Sequence, residues 1–439
     1  MTIPAVPRRD FLGAVGASAF AGSVRQEDSS AAPVRVGVMG MSRGLALAKN
    51  FAACPGVEVR YVCDVDKRRA AAAAEAIGKL SKEKVTATGD FRKILADSDI
   101  DTMVCAAPNH WHAPASIEAC NAGKHVYVEK PCSHNPHEGE LLVQAARKKN
   151  LCVQMGNQRR SADKIQEAIR LIHDGTIGEV HYSRSWYSNL RGPIGDGKPA
   201  KVPDHIDYDM WQGPAPRLPY VNNRLHYNWH WLWHYGNGEL GNNGVHSIDL
   251  SRWGLNVDYP VRVTSSGGRH WFNDSQETPD THLVSFEFED GKQIMWEGLS
   301  CNRHGIDGET FGVSFHGDNG SLTLNSWGYT LFDKRDKEVR TESGKAADAV
   351  HIANFVDAIR KKDPNLLASE IEEGHKTTLL CHLGNIAQRT GDSLVCDPAN
   401  GHIKGNEKAA AMWKREYDCL LYTSPSPRDQ RGSRMPSSA

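Results

Sequence analysis

Residues 34–45 read VRVGVMGMSRGL, a short β-branched run followed by a turn that contains two glycines. The pattern predicts a buried strand over 34–39 and a helix over 45–53. A glycine turn between a strand and a helix suits a dinucleotide pyrophosphate, because the backbone N–H groups of a helix N-terminus bind anions. The spacing departs from G-x-G-x-x-G, since Ser42 and Leu45 stand at the second and third glycine positions. An ordinary strand-to-helix turn is therefore the alternative.

Outward from this turn, strands and helices alternate as far as residue 155, with strands at 57–63, 101–106, 125–129 and 152–155 and helices at 66–80, 113–122 and 136–149. Parallel strands need crossover helices, so this alternation predicts a doubly wound parallel sheet. The pattern changes after Gly156. A helix at 162–174 precedes strands with alternating polar and apolar residues, at 180–187, 261–266, 281–289, 292–299, 311–316 and 320–325. Two late helices follow, at 351–361 and 369–389.

We predict an α/β Rossmann domain at 34–155, followed by an α+β domain with a largely antiparallel, open sheet at 156–345. C-terminal helices at 346–418 are expected to pack on this body. The open sheet face suggests a homo-oligomer, unless loops or the late helices cover it.

The two ends of the chain have patterns of their own. Arg8-Arg9-Asp10-Phe11-Leu12 precedes a short apolar stretch and an A-x-A-like cleavage site, Ala19-Phe20-Ala21. This order is typical of a twin-arginine signal peptide, here at 1–30. We therefore expect a periplasmic or exported protein that engages the twin-arginine export machinery. A chance Arg-Arg pair in a cytosolic protein is the alternative. Residues 419–439 are rich in Ser, Pro and Arg and resemble translated cloning sequence, so a non-native, disordered tail is expected.

Composition excludes several classes. Among 439 residues, 52 Lys and Arg nearly balance 53 Asp and Glu, so no nucleic-acid partner is indicated. No apolar run after residue 30 approaches the ~20 residues of a membrane span, so no stable membrane anchor is expected. The ten cysteines include no C-x-x-C pair, which disfavours a zinc site or a disulfide framework.

Asp64 ends the second predicted strand, 24 residues after Gly40. An acidic residue at about this distance binds the ribose hydroxyls, which favours NAD as the cofactor. Arg68 and Arg69 lie close enough in sequence to receive the 2′-phosphate of NADP instead, so NADP stays open.

Two further motifs, Ala107-Pro108-Asn109-His110-Trp111-His112 and Glu129-Lys130-Pro131, follow predicted strands. Open α/β sheets bind their ligands at such strand ends. The glycine turn, Cys63-Asp64-Val65-Asp66 and these two motifs, in this order, resemble the Gfo/Idh/MocA (glucose–fructose oxidoreductase/inositol dehydrogenase) family over residues 34–418. The resemblance implies tightly bound NAD, contacted by Gly40, Ser42, Arg43, Gly44, Asp64, Pro108, Asn109, His112, Glu129 and Lys130.

In that family the lysine of Glu-Lys-Pro reaches both cofactor and substrate, which maps onto Lys130. The second-domain motif Asp-x-Gly-x-His maps onto residues 242–246, so His246 takes the role of acid/base. Asn242 stands where many members have aspartate, and a neutral amide can orient a neighbour but cannot hold its proton. The resemblance thus implies hydride transfer between a carbohydrate or polyol hydroxyl and the nicotinamide, with Lys130, His246 and Asn242 as the catalytic group.

Residues 225–235 place five aromatic side chains among polar ones, which suits stacking on sugar faces. We assign Gln158, Trp229, Trp231 and His246 to the substrate, and an aromatic core cluster is an equal alternative for the tryptophans. His226, His230 and His234 have the spacing of metal ligands on a helix, but no acidic residue completes the set, so no metal is predicted.

Two other functions stay open. Some exported relatives are NAD-dependent glycosidases that oxidise a sugar transiently, eliminate the aglycone, add water and reduce again. A non-catalytic sensor of nucleotides or sugars on the same scaffold is the second alternative, and the Asn242 substitution favours it.

Overall fold

The structure is a computed structural model that describes residues 32–81 and 83–418. The twin-arginine segment and the predicted tail at 419–439 lie outside the described residues. The first domain runs in order β1 (Val34–Met39), α1 (Arg43–Ala53), β2 (Val57–Cys63), α2 (Lys67–Gly78), β3 (Thr86–Thr88), α3 (Arg92–Ala96), β4 (Thr102–Cys105), α4 (Asn109–Asn121), β5 (His125–Val128), α5 (Pro136–Lys149) and β6 (Val153–Met155).

The six strands form one parallel sheet in the order β3-β2-β1-β4-β5-β6. Strand β1 is buried on both faces, with Val36 and Val38 on one and Met39 on the other, as expected of a sheet covered by helices on both sides. The strand order reverses between β1 and β4, and ligands bind such a sheet at the carboxyl ends of the strands beside that reversal. The predicted parallel, doubly wound sheet is confirmed.

The remaining elements are α6 (Asp163–His173), β7 (Val180–Ser188), α7 (Tyr208–Gln212), α8 (Val245–Leu255), β8 (Arg262–Gly268), β9 (Thr281–Glu287), β10 (Gln293–Leu299), β11 (Phe311–Gly317), β12 (Gly320–Leu324), β13 (Tyr329–Asp333), β14 (Glu338–Glu342), α9 (Asp348–Lys361), α10 (Ile371–Thr390), β15 (Leu394–Cys396), β16 (Ile403–Lys404) and α11 (Glu407–Ala410). Strands β7 to β16 form a second sheet in the order β14-β13-β12-β11-β7-β10-β9-β8-β15-β16.

This second sheet is mixed, because β7 and β10 run parallel while the other neighbours are antiparallel. The parallel pair arises because the chain makes a long excursion between the two strands before it returns. Helices α8 and α10 pack on one face of the sheet. On β9 and β10, Val284 and Phe286 are buried while Leu283 and Met295 are exposed, so one face of these strands is covered and the other is exposed.

Helix α9 belongs to the core of the first domain although it lies near the end of the chain. Its Ile352, Phe355 and Val356 join the buried cluster formed by β1 and α1. Phe355 meets Phe51 edge-to-face, with ring centroids 6.3 Å apart. The first domain is therefore completed by residues far along the chain.

None of the helices described, over 32–81 and 83–418, is long and apolar enough to cross a membrane. No disulfide joins two of the nine cysteines described there.

Candidate functional site

A cavity of about 370 Å³ lies at the carboxyl ends of β1, β2, β4 and β5. The other walls come from α7, from the loop at 226–230 and from the start of α8. The cavity is lined by every predicted site residue except Gly44 and Trp231, namely Gly40, Ser42, Arg43, Asp64, Pro108, Asn109, His112, Glu129, Lys130, Gln158, Trp229, Asn242 and His246. Residues from both domains thus meet in one space.

The glycine turn has the geometry of a pyrophosphate cradle. Gly40 has φ of 89°, and a Cβ there would lie 2.5 Å from the Ala106 carbonyl oxygen, so no other residue fits. Gly44 lies just inside α1, where a Cβ would come within 3.2 Å of Val38 and 3.3 Å of Ala106. Gly44 thus allows the close approach of helix to sheet that Leu45 cannot provide. Ser42 makes no side-chain cap, so the first N–H groups of α1 are available to an anion.

Asp64 is fixed against the glycine turn. Its Oδ2 accepts from the backbone N–H of Met41 at 2.7 Å, and its Oδ1 accepts from that of Asp66 at 2.9 Å. Burial raises the pKa of Asp64, and these two hydrogen bonds oppose that rise. Arg69 lines the cavity beside Asp64, whereas Arg68 is directed to Asp66 and His205.

Arg43 joins the glycine turn to two other parts of the site. Its Nε lies 3.1 Å from Glu129 Oε1, and its Nη2 is paired with Asp348 at the start of α9. Burial would lower the pKa of Arg43, but the two carboxylates outweigh it and raise that pKa. The guanidinium is therefore a permanent cation between the turn and the Glu-Lys-Pro loop.

Lys130 is held by Asn242, because its Nζ donates to the Asn242 carbonyl oxygen at 2.7 Å and to Oδ1 at 3.1 Å. Burial lowers the pKa of Lys130, and the charges of Glu129 and Glu239 oppose that fall. The amide at 242 thus orients the ammonium without supplying a counter-charge.

His246 lies in the first turn of α8, directly after a wide helical turn over Leu240–Gly244. It is 7% exposed, and its Nδ1 has no hydrogen-bond partner among the described residues. Burial, followed by the charges of Arg159 and Lys130, holds the pKa of His246 well below its usual range. The imidazole is therefore neutral and faces the cavity as a proton acceptor.

The two halves of the site correspond to known sequence families. Residues 34–157 match the family model described as "Oxidoreductase family, NAD-binding Rossmann fold", and residues 184–418 match "Oxidoreductase family, C-terminal alpha/beta domain". The chain belongs to the Gfo/Idh/MocA oxidoreductase family. Its first domain is accordingly an NAD-binding Rossmann domain, which confirms the predicted cofactor.

Curated relatives include a "Glycosyl hydrolase family 109 protein" of Saccharopolyspora erythraea, 34% identical over 160 residues, which are 35% of each chain. The "Alpha-N-acetylgalactosaminidase" of Shewanella oneidensis is 29% identical over 211 residues, 42% of this chain and 46% of the relative. The chain thus matches less than half the length of these curated relatives.

Solved structures of the family share the fold at low identity. A levoglucosan dehydrogenase in complex with NADH and levoglucosan has a TM-score of 0.63 at 20% identity, covering 83% of this chain and 99% of that one. An aldose-aldose oxidoreductase from Caulobacter crescentus, complexed with glycerol, has a TM-score of 0.62 at 18% identity, with coverage of 83% and 99%.

The aromatic segment, residues 225–235, lies partly in the cavity lining and partly in the buried core. Trp229 lines the cavity and stacks on His230 with centroids 3.6 Å apart. Trp231 lies outside the lining and has the Arg191 guanidinium 5.2 Å from its ring centroid. Only residues 228–231 form a helical turn in this segment, so His226, His230 and His234 do not share a helix face. No group of three metal-ligating side chains occurs in the part of the chain described.

His230 is a cavity residue without a predicted role. Its Nδ1 lies 2.6 Å from the Tyr227 carbonyl oxygen, which makes Nδ1 the protonated nitrogen and leaves the lone pair on Nε2. Burial lowers the pKa of His230 to about 3, so the ring is neutral.

The Pro-Asn-His-Trp-His motif forms the start of α4 and shapes the cavity from behind. His112 has both ring nitrogens 2.6 Å from carbonyl oxygens, those of Pro131 and Ala107, and it thereby ties the Glu-Lys-Pro loop to β4. Asn109 donates to Asn237 Oδ1 at 3.0 Å, an interaction between the two domains.

No pattern in the sequence points to Met210 and Trp211 of α7, which also line the cavity. The Trp211 carbonyl oxygen lies 2.8 Å from His110 Nε2, about a hundred residues away in the sequence. Only the fold brings this helix to the strand ends. Asp249 accepts from Arg160 at 2.8 and 2.9 Å and serves as a structural partner on α8.

Proposed function

We propose that this chain is an NAD-dependent oxidoreductase that transfers hydride between a carbohydrate or polyol hydroxyl and the nicotinamide. The observation that supports this proposal is that Lys130, Asn242 and His246 line the same cavity as the glycine turn. NAD, when bound, accepts the hydride from the carbinol carbon. The glycine turn would hold the pyrophosphate of NAD and Asp64 would hold its ribose, since both the turn and the Asp64 carboxylate line the cavity.

The protein's own part in the reaction is proton transfer and charge stabilisation. As the carbinol carbon loses hydride, the hydroxyl proton moves to His246, whose neutral ring accepts it. The Lys130 ammonium, oriented by Asn242, stabilises the developing charge on that oxygen. In the opposite direction the same groups return the proton to a carbonyl oxygen.

The first measurement is native mass spectrometry of the purified chain, in which we expect NAD(H) at one equivalent. Sugars and polyols are then screened for reduction of NAD by absorbance. His246→Ala should lower kcat by at least roughly 10²-fold, the contribution of a general base, and leave NADH affinity unchanged. His181→Ala, an exposed histidine of β7, is the matched control. Retained activity in His246→Ala would remove His246 from the mechanism, and a chain that binds NAD without turning over any substrate would favour a sensor.

A second function, NAD-dependent glycoside cleavage, is supported by the curated relatives named as glycosyl hydrolases and by His230. Transient oxidation of a ring carbon makes the neighbouring C–H acidic, so a second base can remove that proton as the aglycone leaves. Water then adds to the double bond, and hydride returns to the carbonyl carbon. His230, with its lone pair on Nε2, is the second base in this scheme.

Nitrophenyl glycosides separate the two functions. Glycoside cleavage releases nitrophenol without net NADH and incorporates deuterium from D₂O next to the oxidised carbon. His230→Ala should abolish that release, whereas His181→Ala should not. Net NADH formation without nitrophenol assigns the chain to simple dehydrogenation.

We also propose that Arg8-Arg9 directs export of the folded chain. Cell fractionation tests this, because replacement of both arginines by lysine should retain the protein in the cytoplasm. Equal export of both forms would exclude a twin-arginine route.

We propose a homo-oligomer that associates through the sheet face bearing Leu283 and Met295, which are 41% and 36% exposed. Light scattering after size exclusion should give a multiple of the chain mass of 48.4 kDa. Leu283→Lys should reduce that multiple, and a monomeric wild type would exclude the oligomer.

A further inference from the structure

A second cavity of about 740 Å³ lies away from the strand ends, among α10, the loop at 233–237 and the C-terminal residues 411–416. It shares no lining residue with the first cavity. The function proposed above does not involve this second cavity.

The wall carries a partly buried cation, Arg415, with unused donors. The hydrogen bonds that the Arg415 guanidinium makes within the described chain join it to His134 Nδ1, at 3.2 Å, and to the Glu416 carbonyl oxygen, at 3.4 Å. His134 Nε2 lies 3.0 Å from the Trp233 carbonyl oxygen, so the ring is neutral and accepts from Arg415. A guanidinium has five N–H groups, and neither of these contacts is a carboxylate. The Glu138 carboxylate attracts Arg415, but no ion pair joins Arg415 to a carboxylate within the described chain.

Two further cations, Arg389 and Lys414, line the same cavity. The Arg389 guanidinium lies over one face of the Trp233 ring, 5.1 Å from its centroid. The wall also holds the Glu277 and Glu416 carboxylates, so three cations stand against two anions. The balance of the lining favours an anion.

Asn385 shows what else the ligand must carry. The residue is 5% exposed, and its Oδ1 has no hydrogen-bond partner in the described chain. Its Nδ2 donates to the Asn237 carbonyl oxygen at 2.9 Å, which fixes the orientation of the amide. A buried oxygen without a hydrogen bond destabilises the fold, and a hydroxyl of a ligand would satisfy it.

We propose that this second cavity binds a small polyhydroxylated anion, a sugar acid or a sugar phosphate. The anionic group pairs with Arg415, a hydroxyl donates to Asn385, and the Trp233 ring packs against the apolar face of the carbon chain.

Isothermal titration calorimetry on the full chain tests the proposal with gluconate, glucose 6-phosphate, glucose and inorganic phosphate. We expect gluconate, glucose 6-phosphate or both to bind at one site per chain, and the one that binds identifies the anion. Lys130→Met, which alters only the first cavity, should leave that affinity unchanged. Arg415→Gln should weaken it at least ten-fold, whereas Arg262→Gln, an exposed arginine of β8, should not change it.

Circular dichroism checks that Arg415→Gln is folded. If it is not, Lys414→Gln replaces it, because Lys414 is exposed, and we expect at least three-fold weakening. The proposal is overturned if neither anion binds, or if glucose or inorganic phosphate alone binds as tightly. It is also overturned if Lys130→Met abolishes binding while the Arg415 or Lys414 variant retains it.

Discussion

Asn242→Asp tests whether the amide at this position sets the charge state of Lys130. A carboxylate would face the Lys130 ammonium at the present Nζ–Oδ1 distance of 3.1 Å. At an effective dielectric constant of about 20 this pair is worth about 5 kcal/mol, or roughly four pH units of pKa. Burial of the new carboxylate offsets part of that gain, so we expect the pKa of Lys130 to rise by about one to two units.

Competitive acetylation with acetic anhydride, read by peptide mass spectrometry, measures this pKa without a substrate because only the neutral amine reacts. In the wild type the midpoint for Lys130 should lie below the ordinary lysine value of 10.5, since burial lowers it. Exposed Lys361 is the internal reference. Asn256→Asp, which adds the same charge at the far end of α8, is the matched control and should leave the midpoint unchanged. An equal midpoint for Lys130 in the wild type and in Asn242→Asp would refute the reasoning.

Three further predictions concern binding and stability. Gly40→Ala should weaken NADH binding more than ten-fold in a fluorescence titration, because its Cβ meets the Ala106 backbone, whereas Gly78→Ala meets nothing and should bind normally. Asp249→Asn should lower the free energy of unfolding in urea by about 3 kcal/mol, because Arg160 then stays buried beside a neutral amide; a loss below about 1 kcal/mol would contradict this. Burial lowers the pKa of His110 and His382 to about 3 in the folded chain. Since the unfolded chain protonates them near pH 6.5, stability should be complete above that pH and fall toward pH 3, by up to about 1.4 kcal/mol per pH unit for each histidine. Urea unfolding from pH 7 to 4.5 measures this slope, and a flat profile would exclude it.

Much of the fold was predictable because burial leaves a periodic trace in the sequence. The helix predicted at 136–149 is α5, which Asn135 caps and Pro136 begins. Strands β13 and β14 were not predicted, since β13 is mostly half-buried, β14 is largely exposed, and only the pairing of β12 with β13 and of β13 with β14 defines them. The parallel pairing of β7 and β10 has no local signal either, because strand direction is set by the path of the chain between them.

Some residues that line the first cavity were predictable, because their position in a motif determines where they lie in the fold. Gly40 and Asp64 are of this kind, since turn and strand end determine where they lie. Tertiary packing determines three other features of the site. These are the pairing of Arg43 with Asp348, the position of Trp231 outside the cavity lining, and the position of Trp211 within it. Sequence spacing carries no information on such contacts.

The position of α9 in the core of the first domain has a consequence for the order of assembly during synthesis. Residues 34–155 leave the ribosome long before Phe355 is made, so Phe51 and Val36 lack part of their apolar cover until the chain is nearly complete. Asp348, the partner of Arg43, arrives in the same late segment. Ability to hold NAD is therefore a property of the finished polypeptide, and the isolated first domain should behave as an aggregation-prone fragment rather than as a small nucleotide-binding protein.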